Sequence, residues 1–95
     1  MAVEDLERIP SRSSAAILLA LYRLGRATSR RVAEEAGVDM RTFWSRVGYW
    51  RRKGWVARDG PFWVLTELGR AMVEKYRTLL EELVEKSDEE GGGRS

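Results

Sequence analysis

The segment from Ala33 to Tyr49 constrains the fold of this chain more than any other part of it. It has the form of a helix that ends at a glycine and a second helix that starts after Asp39, a residue type favoured at helix N-caps. After that cap, apolar residues recur at Phe43, Val47 and Trp50, which lie on one face of a helix. The segment therefore predicts two helices joined by a tight turn, the second with one buried and one exposed face.

The composition removes most of the side chains that catalysis and metal binding need. The 95 residues include no Cys and no His, which excludes disulfides, thiolate or imidazole ligands and most nucleophile–base pairs. No acidic stretch has the ligand spacing of a Mg²⁺ or Ca²⁺ loop. We therefore expect one domain that is not an enzyme and holds no metal, cofactor or small-molecule ligand.

No segment predicts a membrane span or a secretion signal. The longest apolar run, residues 15–22, is too short to cross a bilayer. The start of the chain is acidic, unlike the basic start of a signal peptide. We therefore expect a cytoplasmic protein.

Two amide residue types are missing, because the chain contains no Asn and no Gln. Both are thermolabile, and hyperthermophile proteins contain few of them and many charged residues. Their absence predicts a thermophilic source. Arginine also outnumbers lysine by 14 to 3, a bias that a GC-rich genome would explain without any function.

Charge is distributed unevenly along the chain. Residues 1–10 carry three acidic residues against one basic residue, and residues 66–95 carry eight against five, so their net charges are −2 and −3. Between them, residues 11–65 carry eleven Arg and Lys against four Asp and Glu, a net charge of +7. A basic central module is typical of a surface that binds a polyanion, although a solvated arginine surface would give the same count.

The first predicted helix spans Ser13–Leu24, capped by Ser13 or Ser14. Its Leu19 and Tyr22 lie off the predicted buried stripe, where they are either exposed or in contact with a partner. The later elements are a helix from Thr28 or Ser29 to Gly37, one from Met40 to Lys53, β-strands at 55–58 and 62–65, and a helix from Glu67 to about Ser87 capped by Thr66. The turn-forming triplet between the strands predicts a hairpin.

These elements divide the chain into four parts. Residues 1–10 form a flexible or peripheral segment, 11–75 the folded body, 76–87 a helical extension and 88–95 a disordered tail. Among the tryptophans, Trp50 is predicted in the core, and Trp55 and Trp63 are expected to cover the sheet and the last helix. Trp44 either flanks the exposed face of the third helix or packs against the second helix.

Two short motifs indicate the fold family more closely. Lys53-Gly54-Trp55-Val56 follows the third helix, and Leu65-Thr66-Glu67-Leu68-Gly69-Arg70 follows the hairpin. In this order and spacing they resemble the winged helix-turn-helix DNA-binding proteins, the MarR-like regulators and the small archaeal winged-helix regulators that dimerise through a C-terminal helix. The resemblance covers residues 13–75 and implies an α+β, mainly α fold. That fold is a winged helix: a three-helix bundle with a helix-turn-helix, a short β-hairpin wing and a long C-terminal helix.

The resemblance also implies function. It predicts a nucleoid-associated protein that binds double-stranded DNA and regulates transcription, with the helix at 40–53 in the major groove. The alternatives are a winged-helix module for protein–protein contact and a less specific chromatin-type protein. The wing is short, and the N-terminal dimerisation helices of full MarR proteins are missing.

The outward face of the third helix contains the candidates for base reading. They are Arg41, Thr42, Trp44, Ser45 and Gly48. Arginine binds guanine in a bidentate manner, whereas the usual adenine readers, Asn and Gln, are absent. A glycine in mid-helix costs about 1 kcal/mol relative to alanine, so Gly48 indicates close approach to DNA; the alternatives are a tight contact between helices and no role at all.

A second set of residues is predicted to contact phosphate. It consists of Thr28, Ser29, Arg30, Arg31, Tyr49, Arg51, Arg52 and Arg58. The first four lie at the start of the second helix, where free backbone N–H groups favour anions. For each of these arginines, a solvated surface position is the alternative.

The last helix predicts a homodimer. The interface candidates are Tyr76, Leu79, Leu80, Leu83 and Val84, which extend beyond what a body of this size is expected to cover. A two-fold pair would place two recognition helices on one face of DNA. The preferred site is then palindromic, with half-sites about 34 Å apart.

Overall fold

The structure is a computed structural model that describes the backbone of residues 11–94 and the side chains of residues 11–85. The fold is α+β and mainly helical, with 69% helix and a three-stranded antiparallel sheet, which confirms the predicted class. The peripheral segment predicted at 1–10 lies outside the described residues.

The first helix, α1, spans Arg12–Leu24, and its N-cap is a different serine from the two that were predicted. Its cap is Ser11, whose hydroxyl oxygen accepts a hydrogen bond from the backbone N–H of Ser14 at 2.9 Å. The predicted caps Ser13 and Ser14 are wrong because both already lie within the helix, while Ser11 has the extended backbone of an N-cap. Leu19 is 3% exposed, so its predicted place off the buried stripe is also wrong.

The helices α2 (Ser29–Ala36) and α3 (Met40–Arg52) confirm the predicted pair joined by a tight turn. Gly37 ends α2 with φ of 74°, in the left-handed region that glycine adopts without strain. Asp39 caps α3, because its carboxylate accepts a hydrogen bond from the backbone N–H of Thr42 at 2.8 Å.

The sheet has one strand more than the predicted hairpin. Strand β1 (Arg26–Thr28) and strand β2 (Val56–Asp59) each pair antiparallel with the central strand β3 (Phe62–Leu65), in the order β1-β3-β2. The hairpin of β2 and β3 is confirmed. Strand β1 has no strand pattern in its sequence, because Ala27 is its one buried residue, and it was not predicted.

The start of helix α4 (Glu67–Lys75) is fixed on the segment that follows α3. The hydroxyl of Thr66 donates to the Gly54 carbonyl at 2.6 Å and accepts from the backbone N–H of Gly69 at 3.0 Å. A Cβ on Gly69 would fall 2.8 Å from the carbonyl carbon of Trp55 and closer still to its oxygen. The two motifs that carry the family resemblance are therefore in direct contact.

The last predicted helix is in fact two helices. The chain changes direction at Tyr76, which has φ of −108° and ψ of 18°, and continues as α5 (Arg77–Arg94). This change brings α5 against α1, where Leu80 is fully buried. No proline or glycine stands near Tyr76, so the break reflects the packing of Leu80 and not a local sequence signal.

This packing changes the status of the five predicted dimer-interface residues. Leu80 is buried, and Tyr76, Leu83 and Val84 are partly buried against the same core, while Leu79 is exposed. The premise that the body could not cover these residues is therefore wrong. The helix also continues to Arg94, past the predicted end near residue 87 and through the tail predicted to be disordered.

Candidate nucleic-acid interface

Helix α3 has one buried face and one open face. Phe43, Val47 and Trp50 are buried, as their spacing predicts. Of the candidates on the other side, Arg41, Trp44, Ser45, Arg51 and Arg52 are exposed, and Thr42, Gly48 and Tyr49 are half-buried. Along the middle of the open face, an arginine therefore lies at each end, Arg41 and Arg52, with the small residues Ser45 and Gly48 between them.

A charged cap stands at the N-terminus of α3. Hydrogen bonds from the backbone and the side chain of Thr42, with a smaller contribution from nearby Arg41, hold the pKa of Asp39 below its usual value. The carboxylate is therefore ionised at neutral pH. Its charge is favourable beside the positive end of the helix dipole.

Gly48 lies in the middle of the open face with room for a side chain. A Cβ at this position would meet one atom within 4 Å, the Nη1 of Arg52 at 3.6 Å, which is ordinary contact with a flexible side chain. No neighbouring helix approaches it among the described residues. The alternative that Gly48 permits a tight contact between helices is therefore wrong for this part of the chain.

The arginines fall into two groups by their partners. Arg23 and Arg31 both reach Glu35, Arg26 pairs with Asp59, and Arg77 pairs with Glu81, all within 3.5 Å. A second group forms no ion pair with any carboxylate of the described residues: Arg30, Arg41, Arg46, Arg51, Arg52, Arg58 and Arg70. Six of these seven lie on α2, α3 or β2, and the seventh, Arg70, lies on α4 beside the Tyr22 ring. Within residues 11–85, the arginines without a carboxylate partner thus lie mostly on α3 and the elements beside it.

The four phosphate candidates at the N-terminus of α2 differ in how far they are already engaged by other residues. The hydroxyl of Thr28 caps the helix by accepting the Arg31 N–H at 3.3 Å, and the hydroxyl of Ser29 accepts from the indole Nε1 of Trp63 at 2.9 Å. Each hydroxyl retains its own O–H donor. Because Arg31 is paired with Glu35 at 3.3 Å, Arg30 is the freer cation of the two.

An aromatic cluster joins α3 to the sheet, and sequence analysis did not predict it. The ring of Trp44 packs edge-on against Phe43 at 5.2 Å and against Trp63 at 6.0 Å. Trp44 is 47% exposed, which agrees with its predicted placement beside the exposed face of the third helix, and its contact with β3 was not predicted. Trp63 packs on Phe43 and Trp44 of α3, a contact that was not predicted either. The register that places Arg58 opposite Trp63 is the signal that could have located this cluster.

Two arginines border the cluster. The guanidinium carbon of Arg58 lies 4.6 Å from the Trp63 ring centroid and 5.8 Å from that of Trp44. The guanidinium carbon of Arg51 lies 5.8 Å from the Trp63 ring. Cations at these distances are attracted to the face of an indole, so Arg58 is held beside the exposed ring of Trp44 and Arg51 beside the ring of Trp63, on which Trp44 packs.

Tyr49, the remaining phosphate candidate, packs against the core. Its ring meets Trp50 edge-on at 4.8 Å, and the ammonium of Lys53 lies 6.0 Å from its centroid. The indole Nε1 of Trp50 is buried without a hydrogen-bond partner in the described part of the chain. Tyr49 therefore has a packing role whether or not its hydroxyl binds a ligand.

Residues 11–85 contain no group of three or more Asp, Glu, His or Cys side chains that could hold a metal ion. None of the helices in the described residues is both long and apolar enough to cross a bilayer. Searches with the sequence find no matching family model and no matching curated protein.

Proposed function

We propose that this chain is a double-stranded DNA-binding protein with a winged-helix fold, probing the major groove with α3 and acting as a transcription regulator. The order of elements supports the fold assignment: a helix, a strand, two helices joined by a tight turn, then a hairpin. In this assignment the hairpin of β2 and β3 is the wing. Its turn is short, so the wing contributes Arg58 and little reach.

The distribution of arginines is the observation that carries this proposal. Six of the seven arginines that lack a carboxylate partner within the described residues lie on α2, α3 or β2, whereas Arg23, Arg26 and Arg77 on α1, β1 and α5 are paired with Glu35, Asp59 and Glu81. A surface with no binding role gains solubility from cations and anions in mixture. Unpaired cations on adjoining elements are the arrangement that phosphate binding requires.

The open face of α3 supports the groove assignment. Ser45 and Gly48 are small, so the helix axis can approach the base edges, and Arg41 is exposed at the N-terminal end. Recognition helices contact bases mainly through their N-terminal residues. An arginine there has the geometry for bidentate contact with guanine.

Binding to duplex DNA at several salt concentrations tests the proposal. We expect a complex at about 50 mM salt with micromolar protein, and an affinity that falls steeply as salt rises because counterions are released from DNA. A gel shift with labelled random duplex measures both. If no complex forms under these conditions, the proposal is wrong.

Arg30 and Arg31 provide a matched pair of variants for the same assay. Arg30→Ala should lower the slope of log affinity against log salt by about one, because one phosphate contact is lost. Arg31→Ala should lower it less, because Glu35 already holds that side chain. Equal effects would contradict the role assigned to the ion pair.

The alternatives are a chromatin-type protein and a protein–protein module. Competition with unlabelled duplexes of different sequence separates a regulator from a chromatin-type protein, since a regulator prefers one sequence by about 10³-fold or more. The exposed Leu68 on α4, 50% accessible, is the feature that favours a protein partner. Failure of every duplex to bind would leave that module as the better explanation.

The proposed homodimer now depends on a smaller surface than the sequence indicated. Of the five interface candidates, Leu79 is the exposed one, at 36%. Light scattering should give a dimer for the wild type and a monomer for Leu79→Glu. A monomeric wild type would remove the dimer and the palindromic site with it.

A further inference from the structure

Trp44 is the one tryptophan of the described chain with substantial exposure. It is 47% exposed, whereas Trp50, Trp55 and Trp63 are 1–2% exposed. A single exposed apolar side chain is ordinary by itself, so the case for a ligand depends on what surrounds this ring. The surroundings of Trp44 indicate what that ligand is.

The ring is held rigidly from behind. Phe43 meets it edge-on at 5.2 Å with an interplanar angle of 80°, and Trp63 at 6.0 Å with an angle of 67°. Trp63 is fixed in turn by its hydrogen bond to Ser29 at 2.9 Å. Because these contacts hold the indole before any ligand arrives, little side-chain freedom is lost on binding.

The ring is also bordered by positive charge. Arg51 and Arg58 lie against Trp63, and Arg58 also lies 5.8 Å from the ring of Trp44. Neither arginine has a carboxylate partner among the described residues. A ligand on Trp44 therefore meets an aromatic surface and two cations together.

We propose that Trp44 stacks on an unpaired base, so that the chain prefers DNA with an unstacked nucleotide to regular duplex. This inference rests on the proposed DNA-binding function. An unstacked nucleotide supplies a flat π surface for the indole, and the phosphates on the two sides of its sugar supply negative charge for the two arginines. An aliphatic protein patch would cover the indole but leave both guanidinium groups without a partner, which is costly when they lose water.

The base must be unpaired because of the geometry of duplex DNA. In a regular duplex each base is covered above and below by its neighbours, and the grooves expose base edges only. A bulged nucleotide or a flexible step opens a base face to a side chain. The indole of Trp44 can therefore stack fully only where the DNA departs from regular structure.

Two hairpin duplexes of the same sequence test this inference, one fully paired and one with a single unpaired adenine. Fluorescence anisotropy of a label on the DNA gives both affinities. The wild type should bind the bulged duplex roughly fivefold or more tightly, in the range measured for stacking of one base on an aromatic side chain. Trp44→Ala should bind the two duplexes with equal affinity, because the ring that distinguishes them is gone.

Two further variants separate stacking from damage to the fold. Trp44→Phe keeps an aromatic ring and should retain part of the preference. Leu68→Ala removes an equally exposed apolar side chain from α4 and should change nothing. Preference retained in Trp44→Ala, or equal binding of both duplexes by the wild type, overturns the inference while leaving duplex binding in place. Failure to bind either duplex overturns the proposed function as well.

Tryptophan fluorescence provides an independent readout. Because the other three tryptophans are buried, quenching by acrylamide reports on Trp44. Saturating bulged duplex should reduce this quenching strongly, and paired duplex should reduce it less. Quenching that is unchanged by the bulged duplex places the base elsewhere and contradicts the proposal.

Discussion

Helices α3 and α4 each contain one glycine, and the two glycines stand in opposite surroundings. On α4, Gly69 has no space for a methyl group, because the backbone of Trp55 occupies it. On α3, Gly48 has space, and the nearest atom belongs to a flexible arginine. The packing of the described residues accounts for the first glycine and not for the second, so the second is where the proposed approach of α3 to DNA can be tested.

The two helices also begin differently. The α4 cap, Thr66, is neutral and its hydroxyl bonds to the backbone of Gly54, so it joins two parts of the chain. The α3 cap, Asp39, is charged, fully exposed and bonded to its own helix. The start of α4 is therefore built into the body, whereas α3 presents its start to solvent.

The largest effect expected from this comparison is at Gly69. Gly69→Ala should destabilise the fold by about 1–3 kcal/mol, the usual cost of overpacking a tight site, because the backbone of Trp55 must move. Urea denaturation measures the loss. DNA affinity, measured where the variant is folded, should stay at the wild-type value. A variant as stable as the wild type would show that α4 can shift to make room for the methyl group. The claim that packing requires glycine at position 69 would then be wrong.

Arg41→Ala tests whether the open face of α3 reads bases. It should cost about 1–3 kcal/mol of binding free energy on the best site and relax the preference at one position. Arg46→Ala, another exposed and unpaired arginine of α3, is the control and should leave that preference intact. If Arg41→Ala instead weakens all sequences alike, then Arg41 contacts phosphate and the base-reading assignment is wrong.

Gly48→Ala should affect stability and binding in opposite directions. Removing a mid-helix glycine should stabilise the fold by about 1 kcal/mol, since no atom opposes the methyl group. Binding to duplex should weaken, because the added group holds α3 away from the base edges. The control is Ala71→Gly on the exposed side of α4, which should lose a similar stability and bind normally. An unchanged affinity in Gly48→Ala would mean that this face does not approach the DNA.

The smallest expected effect concerns the charged cap. Because the pKa of Asp39 is lowered in the folded chain, its carboxylate contributes stability above the pKa of the unfolded state, and that stability is lost as pH falls through the folded value. Asp39→Asn keeps a capping side chain but should remove this part of the acid dependence. Thermal unfolding from pH 6 to pH 2 provides the measurement. Parallel pH profiles for both proteins would refute the assignment.

The parts of the fold that the sequence predicted correctly depend on local chemistry. The caps at Thr28, Asp39 and Thr66 follow from side chains that accept backbone N–H bonds. The buried face of α3 follows from helical spacing. Such signals lie within one turn of the residues that they position, so a single sequence contains them.

The features that were missed depend on contacts between distant residues. Strand β1 forms because β3 offers an open edge, and its own residues give no strand pattern. The change of direction at Tyr76 occurs where no helix-breaking residue stands, since burial of Leu80 decides it. The contacts of Trp63 with Trp44 and Ser29 require the register of the sheet. None of these appears until the elements are assembled.

The packing of α5 on α1 has a consequence for the order in which the protein folds. Among the described elements, α1 is synthesised first and α5 last. Helices α2 and α3 and the sheet therefore leave the ribosome before α5, the helix that packs on α1. Contacts between such distant segments form late and slow folding. Until then the side chains of α1 that α5 covers, Leu19 among them, are open to solvent and to other nascent chains. The newly made protein is thus most prone to aggregation in the interval before α5 docks.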